Sequence, residues 1–323
     1  MTLRLDPVDL VARARRGEAR AVARLISMVE NASPQLREVA AALAPYTGRA
    51  QVVGLTGAPG VGKSTSTSAL VAALRRQHKR VGVLAVDPSS PFSGGALLGD
   101  RVRMGEHATD DGVFIRSMAT RGQLGGLAWS TPQALRVLDA AGCDVVLVET
   151  VGVGQSEVDV VSLADTTIVL LAPGMGDGVQ AAKAGILEIA DIFVVNKADR
   201  DGAAQTARDL RYMVSLGDRR NGDGDIWTPP IVRTVASRGE GVDEVVAAVD
   251  AHRAWLDRSG ERDRRRLQRA ESEIQAIALE QVRARLGDVR GAIGLPELAK
   301  RVAAGDIDPY RASDELLDGM AGA

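Results

Sequence analysis

Three short stretches combine residue types whose spacing suits nucleotide chemistry. The first, "GAPGVGKST", runs through Gly57, Ala58, Pro59, Gly60, Val61, Gly62, Lys63, Ser64 and Thr65. It satisfies G-x-x-x-x-G-K-[ST], directly follows the strand-like "QVVGLT" and precedes the helix-compatible "STSALVAALRR". Glycines let backbone N–H groups turn inward around phosphates, and the following helix offers its positive N-terminus. Lys63 then reaches the β- and γ-oxygens, and Ser64 ligates Mg²⁺.

The second, "NKAD", covers Asn196, Lys197 and Asp199 at the end of another apolar run. Guanine presents two donors on one edge, N1–H and the exocyclic amine, and a carboxylate at Asp199 accepts both. Adenine presents an acceptor at the first of these places, which Asp199 repels. Alone, a four-residue match is weak. Its position downstream of a phosphate loop, with "VASR" following a further strand, gives it weight, and backbone N–H groups at Ala236, Ser237 and Arg238 are candidates for the base O6.

The third, "VVLVETVGVGQSE", ends a β-branched run in a carboxylate, Glu149, followed by Gly152. An acid at the tip of a strand beside a phosphate loop holds Mg²⁺ directly or through its water. Gly152 brings a bare N–H toward the γ-phosphate. The plainer alternative is that Glu149 caps the next helix. Many GTPases place Gln just after that glycine to orient the attacking water, and here the position is Val153. Unassisted hydrolysis is therefore expected to be slow, on the order of 10⁻⁴ to 10⁻² s⁻¹.

Two further loops have the composition of moving parts. "DPSSPFSGGALLGDRVRM" opens on Asp87 and returns to Asp100, both candidates for the Mg²⁺ water shell. "APGMGDGVQAAKAG" brings Asp177, Gln180 and Lys183 to one face if its second half is helical, although ordinary helix-start chemistry explains these residues equally well.

The elements that must position these residues follow from hydrophobic pattern. Residues from Asp6 to about Leu43 read as helical, with Asp6-Pro7 and Ser33-Pro34 each offering an N-cap residue followed by proline. From Gln51, continuous apolar runs bounded by Gly, Asp and Pro recur between helical stretches, as a parallel sheet covered on both faces requires. The expected fold is α/β, a P-loop NTPase with a doubly wound, mostly parallel sheet and ligands at the carboxyl ends of the strands. After about Ser259 the strands stop, and "ERDRRRLQRAESEIQAIALEQVRARL" forms a long amphipathic helix with a narrow stripe at Leu267, Ala270, Ile274 and Ile277. The charge run Arg262 to Arg266 reads as its solvated face. Three regions result: a helical extension at 1–48, the P-loop domain at 49–258 and a helical arm at 259–323.

Composition excludes little and agrees with a soluble domain. Forty Lys+Arg against 42 Asp+Glu give a net charge of -2, so no nucleic-acid or membrane partner is expected. No segment reaches the roughly 20 apolar residues of a membrane span, and a cytoplasmic location is expected. The single cysteine, Cys143, reads as a small buried side chain.

Taken together, "GAPGVGKST", "DPSSPFSGGALLGDRVRM", "RSMATRGQLGGLA", "VVLVETVGVGQSE", "LLAPGMGDGVQAAKAGILEIAD" and "NKAD" resemble the methylmalonyl-CoA mutase-associated GTPases of the MeaB/ArgK type. The resemblance covers nearly the whole chain. It implies a homodimeric GTPase that binds GTP or GDP with Mg²⁺ and chaperones an adenosylcobalamin-dependent acyl-CoA mutase, methylmalonyl-CoA mutase or a relative of it. It also implies gating of cofactor loading and protection of the mutase from inactivation. It places Ser64, Asp87, Asp100 and Glu149 around Mg²⁺, makes the Asp177, Gln180 and Lys183 loop a third switch, and makes the C-terminal arm a dimerisation element. Two alternatives stand beside it: a kinase linked to amino-acid transport, an older naming in this family, and a metallochaperone GTPase. Against the latter, the chain has three widely separated histidines, His78, His107 and His252, and one cysteine.

Overall fold

The computed structural model describes residues 6–31, 33–87, 105–107, 109–119, 130–150, 162–174, 189–218, 226–286 and 294–321. The chain divides into two compact units, Met1–Arg266 and Leu267–Ala323.

The first unit begins with three helices, α1 (Pro7–Arg15), α2 (Ala19–Glu30) and α3 (Leu36–Leu43). Asp6 caps α1 by accepting the Val8 amide at 2.9 Å, with Pro7 at the first helical position, as the sequence predicts. The Ser33-Pro34 pair acts differently. Ser33 Oγ accepts the Gln35 amide at 3.3 Å, so a turn precedes α3, which starts two residues beyond the proline.

Strands β1 (Gln51–Thr56), β2 (Val81–Asp87), β3 (Val113–Ala119), β4 (Val145–Thr150), β5 (Thr166–Leu171), β6 (Ile192–Val195) and β7 (Ile231–Arg233) form one sheet in the order β3-β2-β4-β1-β5-β6-β7. Every pairing is parallel. The helices between them are α4 (Lys63–Arg76), α5 (Ser130–Ala140), α6 (Ala203–Asp218) and α7 (Val242–Ser259).

Both faces of the sheet are buried, which is why its strands read as unbroken apolar runs. On β4, Val146 and Val148 pack with α1, α2, α3 and α5, while Val145 and Leu147 pack with α4 and α7. The face of β5 and β6 opposite α7 presents Val169, Leu171, Phe193 and Val195 to α6. Cys143 is buried in this core, and burial pushes its thiol up to about 12.

Helix α8 (Glu261–Leu286) starts in the first unit, and its first residues correct one expectation. Arg265 and Arg266 do not lie on a solvated face. Arg265 forks onto Asp191, with Nη1 to Oδ2 at 3.0 Å and Nη2 to Oδ1 at 2.9 Å. Arg266 donates to Asp165 Oδ2 at 3.1 Å and to the Ala50 carbonyl at 3.0 Å. Asp165 and Asp191 immediately precede β5 and β6, and their carboxylates also accept the Val52 and Thr167 amides. Consecutive positions on a helix point about 100° apart, so the two neighbouring arginines reach different acids, Arg265 meeting Asp191 and Arg266 meeting Asp165.

The second unit contains the rest of α8 with α9 (Leu295–Ala303) and α10 (Pro309–Ala321). Asp308 caps α10 by accepting the Tyr310 and Arg311 amides at 2.9 and 3.0 Å, and Arg301 joins α9 to Glu315 at 2.7 Å.

Candidate nucleotide-binding site

The phosphate loop connects β1 to α4, and two of its glycines have steric reasons. Gly57 has φ +141°, and a Cβ there would lie 2.3 Å from the Leu170 carbonyl oxygen. Gly62, with φ +97°, would set a Cβ 2.5 Å from Asn196 Nδ2. Close approach to β5 and to the base loop therefore demands glycine at both positions.

This turn brings Lys63 back over its own loop. Its Nζ donates to the Gly57 carbonyl at 2.5 Å and to the Ala58 carbonyl at 3.2 Å, and the residue is buried. The cation thus sits beside the N-terminus of α4, where the helix dipole adds to its positive potential.

Ser64 lies in the first turn of α4, and its hydroxyl donates to Glu149 Oε1 at 2.6 Å. Glu149 is 4% exposed and sits within β4, in register with Leu55 on β1 and Ala85 on β2. That register answers why a buried strand ends in an acid: the carboxylate is aimed across one strand at the phosphate loop. A hydroxyl and a carboxylate beside a lysine and a helix N-terminus form a hard, oxygen-only donor set of the kind Mg²⁺ prefers. Among the described residues, no group of three or more His, Cys, Asp or Glu gathers to hold a metal ion.

The base side is built around Asn196, which is buried. Its Nδ2 donates to the Val61 carbonyl at 2.9 Å, and its Oδ1 accepts from Thr234 Oγ1 and the Ala236 amide, both at 3.1 Å. One side chain thereby ties the phosphate loop to the "VASR" turn. Lys197, at φ +56°, donates from Nζ to the Gly60 carbonyl at 2.6 Å, a second tie between the two loops. A non-glycine residue in the left-handed region carries strain of about 1–3 kcal/mol, which the surrounding bonds hold in place. Asp199 is exposed, and its Oδ2 accepts from Arg238 Nη2 at 3.4 Å.

Sequence reasoning did not single out Thr234, whose hydroxyl fixes Asn196, nor the Arg238 side chain. A threonine at the end of a short strand carries no distinguishing pattern. Of the three amides expected to face the base, Ala236 donates to Asn196 and Arg238 to the Val235 carbonyl at 2.8 Å. Asp87 ends β2, and its side chain lies outside the described set. Asp100, Gly152, Asp177, Gln180 and Lys183 lie outside the described residues, as does Val153.

The parallel sheet, the glycine loop and the Lys63, Ser64 and Glu149 constellation define a P-loop nucleoside triphosphatase, and its relatives make it a GTPase. Residues 22–289 match the family model described as methylmalonyl Co-A mutase-associated GTPase MeaB, and the chain belongs to that family. A protein of Pyrococcus abyssi assigned by its name to the GTPases is 49% identical over 318 residues, covering 97% of each chain. The methylmalonic aciduria type A homolog, mitochondrial, of Mus musculus is 35% identical, over 94% of this chain and 76% of that one. The crystal structure of an LAO/AO transport system kinase matches with a TM-score of 0.73 and 27% identity over 99% of both chains. Among the described residues no helix is long and apolar enough to cross a membrane.

Proposed function

We propose that this GTPase is a cytoplasmic homodimer that chaperones an adenosylcobalamin-dependent acyl-CoA mutase, with methylmalonyl-CoA mutase the first candidate. It gates cofactor loading and protects the mutase from inactivation. The MeaB family description and the methylmalonic aciduria homolog support the choice of partner. The observation that carries the nucleotide part is the Asn196 bridge from Val61 to Ala236, which makes the phosphate and base loops one unit.

In this reading Lys63 neutralises phosphate charge, and Ser64 and Glu149 hold Mg²⁺ with help from Asp87 and Asp100. When bound, Mg²⁺ supplies further charge neutralisation on the transferring phosphoryl group. Asp199 accepts N1–H and the 2-amino group of guanine, and the Ser237 amide faces O6. Gly152 and the Asp177, Gln180 and Lys183 loop respond to the γ-phosphate. The mutase senses hydrolysis only insofar as it binds the two loop arrangements with different affinity.

The kinase reading has one observation in its favour, the name of the structurally related transport system kinase. A carboxylate at the position that meets purine N1 favours guanine, and with it the GTPase reading. Co-elution of the purified chain with a methylmalonyl-CoA mutase, with GTP or GDP present, tests the partner. Complex formation that changes with the nucleotide is expected, and no complex in either state would contradict the chaperone role.

A further inference from the structure

The Arg238 amide is consumed inside its own turn, donating to the Val235 carbonyl at 2.8 Å. Whatever Arg238 contributes to the base pocket must therefore come from its side chain. That side chain is placed by an unusually constrained loop. Val235 and Glu240 form an antiparallel bridge, with the Val235 amide on the Glu240 carbonyl at 3.0 Å. Gly241, at φ +75°, would put a Cβ 2.1 Å from the Arg233 carbonyl oxygen, so the chain folds back on itself with no room for another residue.

The guanidinium lies between two carboxylates: Nη2 is 3.4 Å from Asp199 Oδ2 and Nη1 is 3.8 Å from Glu240 Oε1. Arg238 and Glu240 are both about 60% exposed, at 59% and 61%. Ion pairs this open add little to stability, so the arrangement has no evident structural purpose. It does have a geometric effect on Asp199. A carboxylate offers about four lone-pair sites, of which the guanidinium engages one and guanine N1–H and N2–H engage two more. Arginine and base are therefore compatible, and Arg238 gives one Asp199 oxygen a partner through Nη2 while its other arm faces Glu240.

We propose that the Arg238 side chain is a positioning residue for base specificity, orienting Asp199 so that both of its oxygens meet the N1–H and 2-amino donors of guanine. The proposal rests on the reading of Asp199 as the base acceptor. Its consequence concerns the 2-amino group above all, because a freely rotating carboxylate still satisfies one donor but holds two only when its plane is fixed.

The test compares GDP with IDP, which lacks the 2-amino group, by titration calorimetry with Mg²⁺ present. Arg238→Ala is expected to weaken GDP about 3- to 10-fold and IDP less than about twofold, so the GDP/IDP preference falls. Arg238→Lys, which keeps the charge and loses the fork, restores part of the ratio. In an Asp199→Asn background, Arg238→Ala has no further effect on GDP, the non-additivity expected of residues acting through one another. Equal losses for GDP and IDP, tighter GDP binding, or additive effects in the double variant would overturn the role of Arg238 alone. An Asp199→Asn variant that retains the wild-type GDP/IDP ratio would overturn the Asp199 reading itself, and the proposal with it. A thermal melt of each variant checks that the exposed Arg238 is not needed for folding.

Discussion

The Ser64 hydroxyl donates to Glu149 Oε1 at 2.6 Å, joining the first turn of α4 to the end of β4. Two residues separated by 85 positions thus become one oxygen pair, because β4 lies beside β1 and the phosphate loop crosses between them. Glu149→Gln keeps the shape and removes the charge. GTP turnover is expected to fall at least about 100-fold, with GDP binding in the absence of Mg²⁺ changed little. Turnover measured across a Mg²⁺ titration checks this; a variant with wild-type turnover at ordinary Mg²⁺ would remove Glu149 from the metal site.

Asn196 makes three hydrogen bonds, and no other side chain of its size presents an amide donor to Val61 and an acceptor to Ala236 together. Asn196→Asp places a carboxylate against the Val61 carbonyl and leaves a buried acceptor without its donor, at a cost of about 1–3 kcal/mol. Both stability and GTP affinity should drop. An increase in either would show that the two loops are held together by something else.

His252 is fully buried against Trp227 and Trp255, with Nδ1 2.9 Å from Thr166 Oγ1 and Nε2 3.3 Å from Asp191 Oδ1. Burial pushes its imidazole down to about 4, with Asp191 pulling the other way. Between pH 6.5 and about 4 the unfolded chain takes up a proton that the folded chain refuses. This contribution to stability is complete above pH 6.5 and declines as pH falls toward 4, by roughly 3 kcal/mol at about 1.4 kcal/mol per pH unit. Denaturant unfolding followed by tryptophan fluorescence should show this slope, and His252→Gln should flatten it. An unchanged slope in the variant would assign the acid sensitivity to other groups.

Arg266 holds Asp165, which is 3% exposed, at the foot of β5. Arg266→Ala takes the guanidinium from a buried carboxylate, a loss of about 2–4 kcal/mol once the partial exposure of the arginine is allowed for. The melting temperature is expected to fall by roughly 5–10 °C. A change under about 1 °C would mean that the root of α8 is not anchored there in solution.

Along α8, Leu267, Ile274 and Ile277, which share one face, are between 42% and 66% exposed in the single chain. An apolar stripe of this length on an otherwise charged helix supports the proposed homodimer. Leu267→Glu with Ile274→Glu should convert the dimer to monomer in sedimentation velocity while leaving nucleotide binding intact. A wild-type protein that sediments as a monomer would remove the dimer from the proposal.

Much of this was legible in the sequence because certain residues obey local rules. The glycine loop before Lys63, the acid ending a β-branched run and Asn196 after a strand each depend on neighbours within a few positions, and the sheet followed from the unbroken apolar runs. What was not legible depends on contacts between distant segments. Arg265 and Arg266 look like members of a solvated charge run until Asp191 and Asp165 are brought beneath them. Thr234 is an ordinary strand-end threonine until Asn196 turns toward it. His252 gives no sign in sequence that two tryptophans and an aspartate surround it.

GTP turnover of the purified chain, alone and with a cobalamin-dependent methylmalonyl-CoA mutase, with ATP as control, tests whether this GTPase serves a mutase. Slow turnover that rises severalfold with the mutase, and no use of ATP, is the expected result. Turnover indifferent to the mutase, or an equal rate with ATP, would contradict it.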